Sequence, residues 1–420
     1  MKFFHLSDLH IGKQLHHYSL KEEQEAILSE VIAYARSLCP DAVVIAGDIY
    51  DRCVPSAEAV AVFDRFLTSL SEIIPSIPVL IISGNHDSAD RLTYASDILK
   101  KHQIHLSGNV PRDASKRLRK VTLSDAYGEV DFYLLPFMKP SYVRNVFTDA
   151  LKPSDEKKIF EEGPPQTYTD AVEKLLAREE IDYKNRRNVL VSHQFYTGNV
   201  SGTQDASAPA CEKEPALSDK PVFYPATCDS ETFCVGGLEN VDIRAVWEFD
   251  YVALGHLHGA QSVGSPHIRY CGTLLKYSVS ECKHEKTLTV VTLGKKGEPP
   301  LIELLPLHPL RDVKKKTGNL KDIIEHAEDD ERGDYISVTL TDETEPYKPK
   351  EQLEKVFSHI LEVRVDNGRT RKKLSELDEK LTLKDPLQNF ADFYQEMQGR
   401  KLGEEELEMM RQIFGKAKEE

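Results

Sequence analysis

Short apolar runs set the rhythm of the first part of the chain: FFHLS (3–7), VVIA (43–46), VLIIS (79–83), VLVS (189–192) and YVAL (251–254). Each is four or five residues long, mostly Val, Ile, Leu and Phe, and bounded by Gly, Asp, Asn or Pro. That is the pattern of strands buried on both faces. DFYLLP (131–136) predicts a further strand. Between the first two runs, KEEQEAILSEVIAYARSL (21–38) repeats Ile27, Val31, Tyr34 and Leu38 at helical spacing. AEAVAVFDRFLTSLSEI (57–73) does the same with Val60, Phe63, Leu67 and Leu70. Strand and helix alternate, so a layered α/β core is expected.

The segment 197–240 breaks this rhythm. It is rich in Ser, Thr, Pro, Gly and Asp without a period, and reads as a long surface loop of the first domain. From about Glu285 the pattern changes again. TLTVVTL (287–293), LIELLPL (301–307) and DYISVTL (334–340) read as strands, with LGKKGEPP (293–300) as a hairpin turn. LKDIIEHAE (320–328) and KEQLEKVFSHI (350–360) read as helices. The expected organisation is a first domain over 1–284, a smaller α+β domain over 285–366, and a linker with a helical tail over 367–420. In the tail Leu387, Phe390, Tyr394 and Met397 recur at helical spacing, and Leu407, Met410 and Phe414 repeat it after Gly403. Amphipathic stripes this short are marginal alone. The charged run RTRKKLSELDEK (369–380) before them suits an arm that lays its apolar face in a partner's groove.

Composition narrows the class. The chain has 420 residues, 40% hydrophobic and 29% charged, a globular balance. No apolar run approaches the ~20 residues of a membrane helix. MKFFHLSDLH carries charges and histidines where a secretion leader would carry an apolar block. The seven cysteines (Cys39, Cys53, Cys211, Cys228, Cys234, Cys271, Cys282) form no CxxC pair. Neither a disulfide framework nor a structural zinc site is expected, and a reducing cytoplasm fits. The net charge of −15 argues against a free-standing coat on DNA, which needs Lys and Arg on phosphates. A nucleic-acid enzyme stays open, because bound cations invert the sign locally and a partner can supply basic surface.

The polar residues past the strand ends change the picture most. FFHLS is followed by Asp8 and His10, VVIA by Gly47, Asp48 and Asp51, and VLIIS by Gly84, Asn85, His86 and Asp87. VLVS is followed by His193, and YVAL by Gly255, His256 and His258. The carboxyl edge of an open α/β sheet is where ligands bind. Carboxylate and imidazole donors without a thiolate suit divalent Mn, Fe or Zn. Seven candidate ligands, Asp8, His10, Asp48, Asn85, His193, His256 and His258, exceed the needs of one ion and suit two that share a bridging carboxylate. Such pairs, about 3.5–4 Å apart, clamp the attacking and leaving oxygens of a phosphoryl displacement and lower the pKa of a bridging water. Any one of these histidines alone would be an ordinary hydrogen-bonded residue; five clusters in order, each after a strand, are not.

The series DLH, GDIYDR, GNHD, SHQF and GHLH resembles the calcineurin-like metallophosphoesterase superfamily. FFHLSDLHIGK, IAGDIYDRCVPSAEAV, IISGNHDSADRL, FDYVALGHLH with YCGTLLKYSVSE, and LLPLHPLRDV extend the resemblance to its SbcD family of nuclease subunits over nearly the whole chain. The resemblance implies a layered α/β calcineurin-like metallophosphoesterase core, a capping α+β domain and a helical tail. It implies that Asp8, His10 and His258 hold one ion, that Asn85, His193 and His256 hold the other, and that Asp48 bridges them. It gives His86 the role of protonating the leaving oxygen or stabilising the charged transition state, with Asp51 orienting its imidazole. A helix N-cap is the other reading of Asp51. The implied cofactors are two divalent ions, Mn²⁺ first among them. The implied activity is exonuclease on duplex ends and endonuclease on single strands and hairpins, serving recombination, repair and replication. The implied partner is the SMC-like ATPase SbcC, gripped by Leu387, Phe390, Tyr394, Met397, Leu407, Met410 and Phe414, in a heterotetramer built on a homodimer.

Two other functions fit part of the motifs. GDIYDR and GNHD also resemble protein serine/threonine phosphatases, but Cys53 stands where those have Gly, Asp87 where they have Glu, and a long segment follows His258. A small-nucleotide phosphodiesterase would use the same ligands. The basic runs Arg117, Arg119 and Lys120, and Lys314, Lys315 and Lys316, read either as DNA contacts or as solvated faces.

Overall fold

The computed structural model describes residues 1–148, 163–199, 222–223, 225–229, 231, 239–344, 346–368, 386–398, 400–403 and 406–411. In chain order the first unit contains β1 (Lys2–Leu6), α1 (Lys21–Leu38), β2 (Ala42–Ala46), α2 (Ala57–Ser71), β3 (Val79–Ile82), β4 (Ile104–Ser107), β5 (Arg119–Asp125) and β6 (Gly128–Leu135). There follow α3 (Tyr168–Ala177), β7 (Arg187–His193), β8 (Phe195–Asn199), β9 (Asn240–Asp242), β10 (Tyr251–Gly255), β11 (Gln261–Val263), β12 (Ser265–Tyr270), β13 (Thr287–Thr292) and β14 (Leu301–Pro306). One six-stranded sheet has the order β14-β13-β1-β2-β3-β4, and the other β11-β12-β10-β7-β6-β5.

β1, β2, β3 and β4 are parallel, as are β6, β7, β10 and β12. Parallel neighbours need crossovers, which α1 and α2 supply for the first three strands. Alternate residues of a strand face opposite sides, and β7 shows it. Val189 and Val191 join Phe3, Val44, Leu80, Phe132 and Tyr251 in a core cluster fed by both sheets. Leu190 turns the other way and packs with Ala171, Val172 and Leu175 of α3. Phe3 lies edge-on to Phe132 and Tyr251, with ring centroids 5.5 and 5.7 Å away, a favoured aromatic geometry.

α1 spans the expected residues and stops where Cys39 turns left-handed (φ 43°). α2 starts at Ser56, whose hydroxyl accepts the Ala59 N–H at 3.2 Å. Its buried stripe is Ala59, Val62, Phe63, Phe66, Leu67 and Leu70. Val60, expected on that stripe, is 45% exposed. The apolar positions of α2 outnumber one face, so spacing alone admitted a stripe rotated away from the real one.

Three expectations change. The domain boundary expected at 284/285 is not where the chain divides. β13 pairs antiparallel with the free edge of β1 (Lys2↔Thr292, His5↔Thr289), and β14 pairs with β13. The buried run in β13 needs neighbours on both sides, and the first sheet provides one. The first unit therefore runs to Lys314 and includes Gly333–Tyr335. The segment 197–240 is not structureless where it is described: β8 pairs with Val222–Phe223 on one side and with β9 on the other. Main-chain pairing requires no apolar pattern, which is why composition hid it. Finally, the helix expected over 350–360 ends early.

The second unit comprises residues 315–332 and 336 onward. Most of the sheet of β15 (Val313–Gly318), β16 (Tyr335–Leu340) and β17 (His359–Val365) lies in it, with α4 (Leu320–Glu325) and α5 (Pro349–Leu353). Leu320, Ile323, Ile336, Val338, Leu353, Phe357 and Ile360 form its core. Phe357 and Ile360 reach that core from a turn and from β17, which is why the helix stops at Leu353. In α6 (Pro386–Gln398) Leu387, Phe390 and Tyr394 are half-buried, whereas Met397 is 65% exposed. The Phe390 and Tyr394 rings lie 6.3 Å apart, and the Tyr394 hydroxyl donates to Glu406 at 3.1 Å. Leu407 and Met410 are half-buried; Phe414 and the run 369–380 lie outside the described residues. Among the described residues no helix is long and apolar enough to cross a membrane.

The shared core between the sheets is testable. Phe132 is fully buried there, so Phe132→Ala should lower unfolding free energy by about 3–5 kcal/mol. A denaturant titration showing a loss below about 1 kcal/mol would mean that the two sheets do not depend on this packing.

Candidate metal centre

The carboxyl ends of β1, β2, β3, β7 and β10 deliver their polar residues to one place. Asp8, His10 and His258 offer donor atoms all within 4.8 Å of one another, and so do Asp8, Asp48 and His193. His10, Asp48 and His86 form a third such group. Asn85 Oδ1 lies 3.0 Å from His193 Nε2 and 3.0 Å from His256 Nδ1. Asp48 Oδ2 lies 3.4 Å from His193 Nε2 and 3.8 Å from His10 Nε2, between the two groups. All seven expected ligands therefore converge, with Asp48 between the two groups.

The backbone is bent to achieve this. Asp8 (φ 52°), His10 (42°), Asp48 (49°) and His256 (106°) have left-handed or still rarer backbone angles. Each such residue costs on the order of 1–3 kcal/mol and persists only where the surroundings over-determine it. Here the surroundings are specific. Asp8 accepts the His256 main-chain N–H at 3.0 and 3.1 Å. Gln24 of α1 accepts from Gly12 N at 3.0 Å and donates to His10 O at 2.8 Å. Asp87 accepts from Ile49 N, Tyr50 N and Gly84 N at 3.1, 3.0 and 2.9 Å, tying the GDIYDR and GNHD loops together. Gly84 is required: a Cβ there would meet Asp48 Oδ1 at 2.1 Å.

The donor atoms themselves call for cations. His258 gives its Nδ1–H to the buried Glu281 carboxylate (3.3 Å). That leaves its Nε2 lone pair 3.2 Å from His10 Nε2. His193 gives its Nδ1–H to the Ala46 carbonyl (2.7 Å), leaving Nε2 facing the acceptors Asn85 Oδ1 and Asp48 Oδ2. Nitrogen and oxygen atoms able to bind metal crowd together at both ends of the site, an arrangement that two metal ions would satisfy once they displace the imidazole protons between them. Without metal, a proton on His193 holds one end together. Burial disfavours charge on His193, but the adjacent Asp48 carboxylate outweighs it and raises the imidazole to about 9. Burial lowers His256 to about 3 and raises Asp8 above the usual carboxylate range.

His86 sits beside these groups, its ring centroid 4.9 Å from that of His10. Its main-chain N–H donates to Asp48 Oδ1 at 2.8 Å. The expected partnership with Asp51 exists through a different atom. His86 Nδ1 meets the main-chain carbonyl of Asp51 at 2.9 Å, while the Asp51 carboxylate pairs with Lys13 Nζ at 2.8 Å. A motif gives the residue, not which of its oxygens is turned inward. Glu281, Gln24 and the structural use of Asp87 were not anticipated. Glu281 lies in YCGTLLKYSVSE, which the resemblance had marked without a role for it.

Residues 1–260 match the calcineurin-like phosphoesterase family, and residues 306–398 match the Type 5 capsule protein repressor C-terminal domain. The SbcD subunit of the nuclease SbcCD from Staphylococcus epidermidis is 30% identical over 364 residues, covering 86% of this chain and 84% of that protein. Its counterpart from Staphylococcus saprophyticus is 30% identical over 363 residues, with the same coverage. Among solved structures, a dimetal phosphatase from Danio rerio aligns with 13% identity and a TM-score of 0.36, covering 72% of this chain and 98% of that one.

A metal ion would have to displace the proton that Asp48 favours on His193. Mn²⁺ uptake by the metal-free protein should therefore release protons and tighten as pH rises from about 7 toward 8.5, by up to roughly tenfold per pH unit for one proton displaced. Calorimetry in buffers of different ionisation enthalpy reads the release directly. Affinity that stays flat over that window would remove His193 from the ligand set.

Proposed function

We propose, from the premise that the chain belongs to the calcineurin-like phosphoesterases and within them to the SbcD family, that it is a Mn²⁺-dependent DNA nuclease subunit. The proposed reactions are exonucleolytic cutting of duplex ends and endonucleolytic cutting of single strands and hairpins, with SbcC as the ATPase partner. The observation that carries the reading is the convergence of seven oxygen- and nitrogen-bearing side chains around Asp48, packed within metal-ligand reach of one another. Two divalent ions held there would supply an activated water and a clamp on the phosphoryl oxygens.

The chain's own residues do the rest. Asp8, His10 and His258 form one half of the cradle, Asn85, His193 and His256 the other, and Asp48 fixes their separation. Asp51 O anchors His86 through Nδ1, which leaves Nε2 to hold or give a proton at the leaving oxygen. A cleft of about 490 Å³ beside Asn85 is lined by Phe137, Tyr142, Arg112 and Lys139 and also by Asp87, Asp90 and Glu239, so it offers rings for bases while its acids leave phosphate binding to depend on bound metal. The basic runs noted in the sequence suit this less well. Arg119 donates to Leu106 O at 2.6 Å, Lys120 lies 3.7 Å from Asp131, and Lys314 lies 2.9 Å from Asp334. We assign the second unit to steering DNA, since the metal-competent groups among the described residues are all in the first unit. The chain would work as a homodimer within a heterotetramer.

Duplex DNA, a phosphopeptide and a cyclic nucleotide offered with Mn²⁺ separate the nuclease from the phosphatase and small-nucleotide readings. Asp48→Ala should abolish DNA cutting and weaken both ions; full activity in that variant would sink the two-ion assignment. His86→Ala should keep both metals by elemental analysis yet lose about 10²–10⁴-fold in turnover. Metal loss alongside would make His86 a ligand instead.

The tail is proposed as the SbcC-docking arm, with Leu387, Phe390, Tyr394, Met397, Leu407, Met410 and Phe414 as its anchors. Exposed Phe393 and Met397 on α6 support that reading. Phe390→Glu with Tyr394→Glu should abolish co-purification with SbcC and leave the melting temperature of the protein alone nearly unchanged. A much earlier melt, or retained pull-down, would assign the tail to the chain's own packing.

A further inference from the structure

Residues 225–229 and 231, from the stretch between the His193 and His256 motifs, are fastened to the loops that carry the metal ligands. Gln261 clamps Ala226 with two hydrogen bonds, Nε2 to the carbonyl at 2.8 Å and Oε1 from the N–H at 2.9 Å. Asp229 N donates to Ser280 Oγ at 3.0 Å, next to Glu281. Glu231, half-buried, closes the connection: Oε2 accepts Cys228 N–H at 2.7 Å and Oε1 accepts the main-chain N–H of His258 at 2.5 Å.

The two ligand histidines of the GHLH loop are thus held in parallel ways. Asp8 pins the main chain of His256. Glu231 pins the main chain of His258, while Glu281 fixes its ring from Nδ1. A side-chain oxygen 2.5 Å from a main-chain N–H makes a short, directional bond. It sets where the His258 backbone lies, and so how far Nε2 reaches toward His10. Asp8 is available to do this for His256 because it is itself a ligand. For His258 the same service comes from outside the five motifs.

Resting on the two-ion reading, we infer that Glu231 is a positioning residue for His258, and that the Asp8–His10–His258 half of the centre is complete only with this segment seated. Residues 225–229 and 231 are then part of the metal site's construction. Its contribution acts on one ion, because Glu231 ends on His258 and Asp229 on the turn that carries Glu281, the partner of the His258 ring.

The test is Mn²⁺ titration into the metal-free full-length chain, read by calorimetry and by the electron paramagnetic resonance of the coupled Mn²⁺ pair. The wild type should take up two ions. Glu231→Ala should weaken one by about 10–100-fold, the usual cost of losing an outer-shell partner, leave the other unchanged, and lose the coupled-pair signal at limiting Mn²⁺. Glu231→Gln keeps an oxygen for His258 N–H and should recover most of the affinity. Gln261→Ala, which loosens the Ala226 clamp without touching a ligand, should cause a smaller loss at the same ion. Two wild-type affinities in Glu231→Ala would overturn the inference while leaving the two-ion reading intact. So would equal weakening of both ions in Glu231→Ala and Glu231→Gln together with a lowered melting temperature. A wild type that binds fewer than two ions would remove the two-ion reading and this inference with it.

Discussion

Two carboxylates with almost no access to water, Asp8 and Asp48, lie within reach of one another at the meeting edge of two sheets. Burying like charges together is among the most costly arrangements a fold can hold, unless cations balance them. The rest of the centre follows from that constraint. His193 and His258 turn Nε2 toward the pair because a main-chain carbonyl and a carboxylate take their Nδ1–H groups. The loops adopt left-handed backbone because the donors must curl back over the strand ends that carry them. Gly84 is bare because Asp48 occupies the space a side chain would need. The sandwich, in turn, supplies rigid parallel strands whose ends stay where these loops require them.

Much of this was legible in the residues. Strands buried on both faces leave unbroken apolar runs, and β1, β2, β3, β7 and β10 lie on five such runs. Ligands at strand ends leave Asp, Asn and His just after those runs. What stayed hidden depends on long-range partners. Glu281, in a short 3₁₀ helix, and Glu231, in a polar stretch, are single acidic residues, and nothing local says that each reaches His258. Asp51 was found, but which oxygen meets His86 depends on how its loop folds. The alternation in β13 and β14 announced strands without saying that β1 was their neighbour, so the domain boundary fell too early.

Charge is distributed in the same economical way. The basic runs that stand out in the sequence are largely consumed by ion pairs within the fold, as with Lys314 on Asp334 and Lys316 on Glu331. Arg311 similarly pairs with Glu22 and Glu23 of α1. Beside Asn85, Arg112 and Lys139 share their cleft with Asp87, Asp90 and Glu239, so attraction for a polyanion there would rest on bound cations. Association with DNA should be weak without metal and strongly dependent on salt.

The pairing of β1 with β13 has a consequence for synthesis on the ribosome. β1 and β2 emerge early and can pair at once, but the other edge of β1 waits for Thr287–Thr292. At roughly 5–20 residues per second, that edge stays open for some tens of seconds. During that interval the nascent chain carries an apolar strand with unsatisfied main-chain groups, the template on which strands of other chains add. Closure of the sheet is a late, non-local event, and non-local closure is slow. Yield during expression should then be governed less by the stability of the finished fold than by how well chaperones shield the first strand until its last neighbour arrives.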